Sequence, residues 1–395
     1  MQQMRVLALS SGTSVDAIDV ALADLSDVDG VAHLELLGHA ERPWPADLRR
    51  RILAALPPAA VGVREVCLLD TLIGQAFGDV GAWAIAEWGD VDLVVSHGQT
   101  VYHWVEGVTA RGTLQIGAAA WIAERTRRPV VDDLRSSDIA FGGHGAPLVS
   151  LLDHLWLSDR PSAVLNIGGI ANVSIVGAGP VRTGDTGPGN CLIDVAVTAL
   201  TGAAFDSDGA LARSGTVDEA VLATLLGEPY YSLEFPKSTG RELFHAGYVA
   251  ERLAMAMPGV PTSRGANLIA TLTELTARTI AAQVIPYGVE RVVVSGGGTR
   301  NKTLMTRLGD LLPGVVTSDA LGLPSEAKEA YLFALLGYLS VRGLPGTAPG
   351  QGSRRATGAR SAVVLGSLTP PAPAPCPLAT TPVHRLVVSA EKRRT

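Results

Sequence analysis

The chain has 395 residues, of which 47% are hydrophobic and 18% charged, and its formal net charge at pH 7 is −6. This composition excludes an intrinsically disordered chain, and the small acidic excess argues against a basic nucleic-acid-binding protein. At roughly 100–200 residues per domain, the length predicts two or three domains. The three cysteines, Cys67, Cys191 and Cys376, are widely spaced. That spacing argues against a disulfide framework or a cysteine zinc site and indicates a reducing compartment.

We predict neither a targeting sequence nor a membrane span. The apolar run at the start of the chain is too short for a signal-peptide core. No stretch of about 20 residues stays apolar without a charge or a turn signal. The expected location is therefore the cytoplasm.

In the first half of the chain, apolar alternation and helical spacing predict an alternation of strands and helices. In order, the predicted elements are strands 5–9 and 16–23, helices 45–56 and 64–88, strand 91–95, helix 116–127 and a strand beginning at residue 129. A turn rich in Gly, Ser and Thr joins the first two strands, which makes them a hairpin.

The second half repeats this theme. Its predicted elements are strands 163–167 and 170–176, helices 190–202, 217–226 and 262–285, strand 291–294, and helices 302–312 and 325–342. Two glycine-turned hairpins, each followed by helices, predict two similar α/β lobes.

The lobes are assigned from this repeat. Residues 1–128 form the predicted N-terminal lobe, to which the last helix and its continuation, 325–368, return. Residues 129–324 form the predicted C-terminal lobe. Residues 369–395 are rich in proline and alanine and end in a basic run, so we predict a disordered tail.

Three glycine-containing turns between predicted elements are candidates for binding phosphate. Backbone N–H groups in such turns can cradle phosphate oxygens, and a turn between a strand and a helix is where open α/β sheets bind nucleotides. The candidate residues are Gly12, Thr13, Ser14, Val15, Asp16, Ala17, Ile18 and Asp19 in the first turn, Gly168 and Gly169 in the second, and Gly296, Gly297 and Gly298 in the third. No Walker A loop competes with them. Together they predict a nucleotide cleft between the lobes, in which Asp16 or Asp19 could reach Mg²⁺ directly or through water.

Four other side chains are candidates for chemistry or substrate binding. Asp185 lies in GDTGPGN, which we interpret as a tightly shaped loop where a carboxylate could act as a general base; the alternative is a turn-forming aspartate. Arg135 follows a predicted strand and could bind a substrate carboxylate with two hydrogen bonds. His97, in SHGQT, could bind substrate or only complete a turn. Lys237 lies in the loop PKSTGREL together with Arg241.

These motifs resemble those of the anhydro-N-acetylmuramic acid kinases, a family of the sugar-kinase, Hsp70 and actin superfamily. The resemblance covers residues 5–368 and rests on motifs that occur in the family's order. They are SGTSVDAIDVAL, SHGQTVYH, LQIG, VVDDLRSSDIAFGGHGAPLV, LNIGGIANVS, GDTGPGNCLID, PKSTGRELF, VVVSGGGTRN and EAYLFA.

The resemblance implies a two-lobed actin-like ATPase fold, with mixed sheets flanked by helices and a cleft between the lobes. It implies an enzyme that opens the 1,6-anhydro ring of anhydro-N-acetylmuramic acid with water and phosphorylates O6 from MgATP. The product would be N-acetylmuramic acid 6-phosphate, in cell-wall recycling. Asp185 would be the base, residues 12–19 would hold the phosphates under the Gly168-Gly169 turn, and residues 296–298 would lie by the adenosine. Arg135 and Glu329, and with less support His97, match positions near the sugar.

The chain departs from the family pattern at four places, two of which are Ser10, where methionine is usual, and His144, where glutamine is common. Ala17 stands where glycine is usual, so we expect a negative φ or strain there, and Ala118-Ala119 replaces Asp-Pro after LQIG. Three alternatives therefore stay open: a kinase of another sugar or small carboxylic acid, an Hsp70- or actin-like assembly ATPase, and a family member that binds sugar without turnover. The expected partners are an amino sugar and ATP, without nucleic acid or membrane, and the chain could form a homodimer.

Overall fold

The computed structural model describes residues 3–12, 14–57, 59–107, 109–240, 243–256 and 264–371. Two of the candidate residues, Thr13 and Arg241, lie outside these ranges, and so does most of the predicted tail. The disorder predicted for residues 369–395 thus stays a prediction.

The chain forms twelve strands and twelve α-helices within the described residues. The first part contains β1 (Met4–Ser11), β2 (Ala17–Val28), β3 (Val31–Pro43), α1 (Ala46–Ala55), α2 (Val63–Trp88), β4 (Leu93–Glu106), β5 (Thr109–Ile116), α3 (Ala119–Thr126), β6 (Val130–Asp132), α4 (Ser136–Ala140) and α5 (Val149–Leu157). The second part contains β7 (Ser162–Ile167), β8 (Ile170–Val176), β9 (Arg182–Pro188), α6 (Cys191–Thr201), α7 (Ala210–Ser214), α8 (Glu219–Leu226), α9 (Tyr248–Ala256), α10 (Ala266–Val284), β10 (Arg291–Ser295), α11 (Lys302–Leu311), β11 (Val315–Thr317), α12 (Lys328–Val341) and β12 (Ser367–Thr369).

The strands form two mixed sheets with the same internal order. The first runs β12-β6-β4-β1-β2-β3, with β5 beside β4, and the second runs β11-β10-β7-β8-β9. In each, an antiparallel three-stranded meander continues through its first strand into two parallel strands. The predicted repeat is therefore confirmed, and with it the two-lobed α/β fold of mixed sheets flanked by helices.

Helices α12 and α5 fill the space between the two sheets. Their apolar side chains form one core cluster with residues of β1, β4 and β6 on one side and of β7, β8 and β10 on the other. Eleven residues of α12 are buried, which explains why its apolar positions surround the helix instead of forming one stripe. Strands β6 and β12 belong to the first sheet. Residues 130–132, which the sequence assigned to the C-terminal lobe, thus pair with strands of the predicted N-terminal lobe. The lobe boundaries stay a prediction.

The structure corrects the interpretation of GDTGPGN as a loop, because residues 184–188 lie in β9 and only residues 189 and 190 form the bend that leads into α6. The glycines serve close packing. A Cβ at Gly184 would lie 2.7 Å from the carbonyl oxygen of Lys237, and one at Gly187 would lie 2.8 Å from the ring of Tyr231. Asp185 is consequently fixed within a sheet.

Among the described residues, one helix has the length and hydropathy of a membrane span. It covers residues 266–287, but 72% of its most apolar window is buried inside the protein. It packs against α7, α11 and α8, as the core helix of a globular lobe does. The cytoplasmic location stays a prediction.

Candidate active site

A cavity of about 560 Å³ lies between the two sheets, and both lobes contribute to its walls. Ten of the residues predicted from the sequence line it. They are Gly12, Ser14, Asp16, Ala17, Asp19, Arg135, Asp185, Gly296, Gly297 and Glu329. The structure thus brings the first turn, the third turn, the candidate base and two candidate sugar ligands into one cleft.

A row of polar side chains crosses the second sheet at the floor of this cleft. Ser295 of β10 pairs with Asn166 of β7, Asn166 with Asn172 of β8, and Asn172 with Asp185 of β9. All four line the cavity. Residues in register on neighbouring strands point to the same face, so Asp185 is the acidic end of a continuous polar surface.

The segment that follows the short turn of residues 229–232 holds Asp185 in place. The backbone N–H of Thr239 donates to Oδ2 of Asp185 at 2.8 Å. The backbone N–H of Asp185 donates to the carbonyl oxygen of Lys237 at 2.9 Å. The hydroxyl of Tyr230 donates to its carbonyl oxygen at 3.0 Å. Backbone donors to a carboxylate stabilise its ionised form, which a general base requires.

Lys237 is a buried cation beside this carboxylate. Its ammonium donates to the carbonyl oxygens of Tyr230 and Tyr231, both at 3.2 Å, and lies 4.8 Å from the Tyr230 ring centroid. Burial lowers the pKa of Lys237 to about 8, and the charge of Asp185 opposes that shift. Lys237 does not line the cleft, so it acts on Asp185 from behind.

The first turn has an unusual backbone at Val15, where φ is +56°. A β-branched residue is strained in this region, and here it is completely buried. The guanidinium of Arg49 donates to the Val15 carbonyl oxygen at 2.7 Å and to Asp16 at 3.2 Å. Ala17 has no positive φ, so its methyl group is accommodated. Ile18 is buried below the turn.

The other two turns differ in their access to the cleft. Gly168 and Gly169 do not line the cavity. A Cβ at Gly298 would lie 2.3 Å from Ile167, whereas one at Gly297 would meet nothing within 4 Å. Gly298 therefore permits close packing, and Gly297 presents open backbone to the cleft.

Arg135 and Glu329 face the cleft together, whereas His97 lies behind Arg135. The Arg135 guanidinium donates through Nε to Nε2 of His97 at 2.8 Å and through Nη1 to the Gly145 carbonyl oxygen at 2.6 Å. Desolvation by the surrounding protein raises the pKa of the Glu329 carboxyl group, and the positive charge of Arg135 opposes this shift. His97 instead borders a second cavity of about 230 Å³.

Sequence reasoning missed several residues of the cleft. Glu41 on β3, and Arg300 and Glu326, which form an ion pair, also line it. So does Lys328, whose ammonium lies 2.6 Å from the buried carboxylate of Asp153. The available signal for Lys328 was its position at the start of a mostly apolar helix, since a buried lysine needs a partner.

The comparisons with known proteins identify the family of the chain. The family model described as "Anhydro-N-acetylmuramic acid kinase" matches residues 4–371. The anhydro-N-acetylmuramic acid kinase of Streptomyces coelicolor is 52% identical over 377 residues, covering 93% of this chain and 94% of the relative. The kinase of the same name from Rhodococcus erythropolis is 50% identical over 383 residues, with the same coverage. The chain therefore belongs to the anhydro-N-acetylmuramic acid kinase family.

Proposed function

We propose that the protein transfers the γ-phosphoryl group of ATP to O6 of anhydro-N-acetylmuramic acid while water opens the 1,6-anhydro ring. As a member of this family the protein is a sugar kinase, and the product is N-acetylmuramic acid 6-phosphate. The observation that carries the site assignment is the position of Asp185. It is a braced carboxylate in the cleft that also contains the open backbone of the first and third turns.

ATP is expected to bind along the cleft with its phosphates at residues 12–19 and its adenosine near residues 296–298. Gly12, Ser14 and Gly297 line the cavity, and a Cβ at Gly12 would meet only the Ser14 hydroxyl, at 3.8 Å. Phosphates can therefore approach this backbone closely, as phosphoryl transfer requires. The Gly168-Gly169 turn, which does not line the cavity, would close over the phosphates.

Asp185 would accept a proton from the water that attacks C1. The C1–O6 bond then breaks, and O6 attacks the γ-phosphorus as ADP leaves. The leaving oxygen stays in the same sugar, so a single carboxylate suffices for the ring opening. The N–H groups of Arg135 that have no partner among the described residues, and the carboxyl group of Glu329, would bind substituents of the sugar.

The acidic residues of the first turn fit Mg²⁺ as part of the nucleotide complex. Asp16 and Asp19 offer the oxygen ligands that Mg²⁺ prefers, and this ion commonly uses one or two carboxylates plus substrate phosphates. Within the described ranges, no group of three or more acidic, His or Cys residues could hold a metal by itself. Bound with ATP, Mg²⁺ would neutralise phosphate charge.

A coupled ADP-release assay with MgATP and the anhydro sugar tests the proposal, with Asp185→Asn beside the wild type. In water enriched with heavy oxygen, we expect a sugar phosphate that carries one heavy oxygen, and no product from Asp185→Asn, which should still bind ATP. Turnover only with other sugars or small acids, or sugar-independent ATPase, would overturn the substrate assignment, and sugar binding without turnover would overturn the proposed reaction.

A further inference from the structure

The imidazole of His97 is held by protein on three sides. Its Nε2 lies 2.8 Å from Nε of Arg135, its Nδ1 lies 3.2 Å from the Gly98 carbonyl oxygen, and its ring stacks on Phe333 with centroids 4.4 Å apart. Only 6% of the residue is exposed. Both ring nitrogens thus have protein partners, which leaves neither of them for a substrate.

These partners determine the protonation state of the ring. Arg135 can only donate and a carbonyl oxygen can only accept, so Nε2 carries the lone pair and Nδ1 carries the proton. This is the neutral imidazole. Burial and the charge of Arg135 also lower the pKa of His97 well below its usual value, although Asp70, Asp132 and Asp133 line the cavity on its other side.

We propose that His97 is a positioning residue that orients Arg135, and that it is not itself a ligand of the sugar. The proposal rests on the proposed role of Arg135 in binding the sugar. A guanidinium is a planar fork with five N–H donors. His97 and the Gly145 carbonyl oxygen engage Nε and Nη1, and the other three N–H groups have no hydrogen-bond partner in the described part of the chain. With two anchors the plane is fixed, and the free donors are available to an acidic or hydroxyl-rich substituent.

Three substitutions separate the acceptor at Nε2 from the rest of the ring. His97→Phe keeps a flat ring against Phe333 but removes both nitrogens. His97→Gln can place its amide oxygen near the position of Nε2, whereas His97→Asn reaches only as far as Nδ1. Because the lost bond has a charged donor, we expect His97→Phe and His97→Asn to lower kcat/KM for the anhydro sugar roughly 10- to 100-fold. His97→Gln should recover most of that loss, and KM for ATP should stay near the wild-type value.

A double-mutant cycle shows whether His97 acts through Arg135. In calorimetric titrations with the anhydro sugar, His97→Phe should weaken binding in the wild type but change it less than about twofold in an Arg135→Met background. Equal losses in both backgrounds would mean that His97 contacts the sugar independently, which would overturn the proposal. Circular dichroism and thermal melts exclude misfolded variants, and the Gln and Asn pair gives the same test if the Phe variant does not fold.

A measurement without substrate distinguishes failure of this inference from failure of the proposed function. In the ¹⁵N spectrum of histidine-labelled enzyme, the signals lost in His97→Gln should be those of a neutral Nδ1–H ring between about pH 5 and about pH 8. They should shift in Arg135→Met. If the His97 ring gained a proton within this pH range, or if its signals were the same in Arg135→Met, the positioning role would be refuted even in an active enzyme. If the spectra are as expected but the enzyme does not act on this sugar, the positioning role of His97 stands and only the proposed substrate is refuted.

Discussion

A methyl group added at Gly184 should disable Asp185 without touching it. In Gly184→Ala the new Cβ would lie 2.7 Å from the Lys237 carbonyl oxygen and 2.7 Å from the Phe235 ring. Ordinary van der Waals contact begins at 3.4 Å, so the segment must retreat by about 0.7 Å, the difference between these two distances. The bond from the Asp185 N–H to Lys237, now 2.9 Å, would lengthen to about 3.6 Å, which is no longer a hydrogen bond.

The same retreat carries the Thr239 N–H away from the carboxylate, 2.8 Å away in the wild type. A misplacement of about 1 Å can lower a rate about 100-fold, so we expect kcat to fall roughly 10- to 100-fold with little change in KM for ATP. Overpacking should also lower the free energy of unfolding by about 1–3 kcal/mol.

The assay is coupled ADP release at saturating sugar, with urea unfolding of the same samples. Gly309→Ala is the matched control, because a Cβ there meets nothing within 4 Å on the exposed side of α11. It should leave kcat unchanged and add about 0.5–1 kcal/mol of stability. A folded Gly184→Ala enzyme with wild-type kcat would refute the argument that this segment positions the base.

Two further predictions concern buried charges. Lys328→Met leaves the carboxylate of Asp153 buried without its cation, so the free energy of unfolding should fall by about 3–5 kcal/mol, and Lys328→Met with Asp153→Leu should regain most of it; equal losses in urea melts of both variants would contradict this. Burial and the neighbouring Asp133 raise the pKa of Asp132 to about 6, so between about pH 4 and about pH 6 the folded state binds more protons than the unfolded state. Stability should therefore fall as the pH rises through this window, and Asp132→Asn should remove that dependence and add roughly 1–3 kcal/mol at pH 7.

The elements predicted from the sequence are those with a strong local pattern. Both hairpin turns, the apolar strands and the long helices are encoded within a few neighbouring residues. Strand β3 escapes prediction because it is half exposed along its length and carries charges on both faces. Strand β9 is not predicted from the sequence because its glycines are typical of a turn. In the structure they allow close packing against Lys237 and Tyr231.

The composition of the cleft could be predicted in part, but its arrangement could not. The motifs identified Asp185 and Arg135 as candidates, whereas the polar row depends on register between strands. A bulge between Ala171 and Asn172 sets the residue that faces Asp185, and no local pattern encodes such a shift. The contact of His97, within β4, with Arg135, just after β6, joins two neighbouring parallel strands and is equally nonlocal.

The repeated fold also explains how one cleft can hold two chemistries. In the first sheet, Ser10 of β1 pairs with Asp19 of β2, and Asp19 pairs with Glu41 of β3. Glu41 therefore faces Asp19 as Asp185 faces Asn172. The turn between β7 and β8 is short and closed, because a Cβ at Gly189 would lie only 2.4 Å from its carbonyl oxygen at Gly168. The equivalent turn between β1 and β2 is longer and opens into the cleft. One copy thus offers space and backbone for phosphates, and the other a rigid support for a carboxylate. Under the proposed function, the divergence of the two copies would place phosphate binding opposite the activation of water.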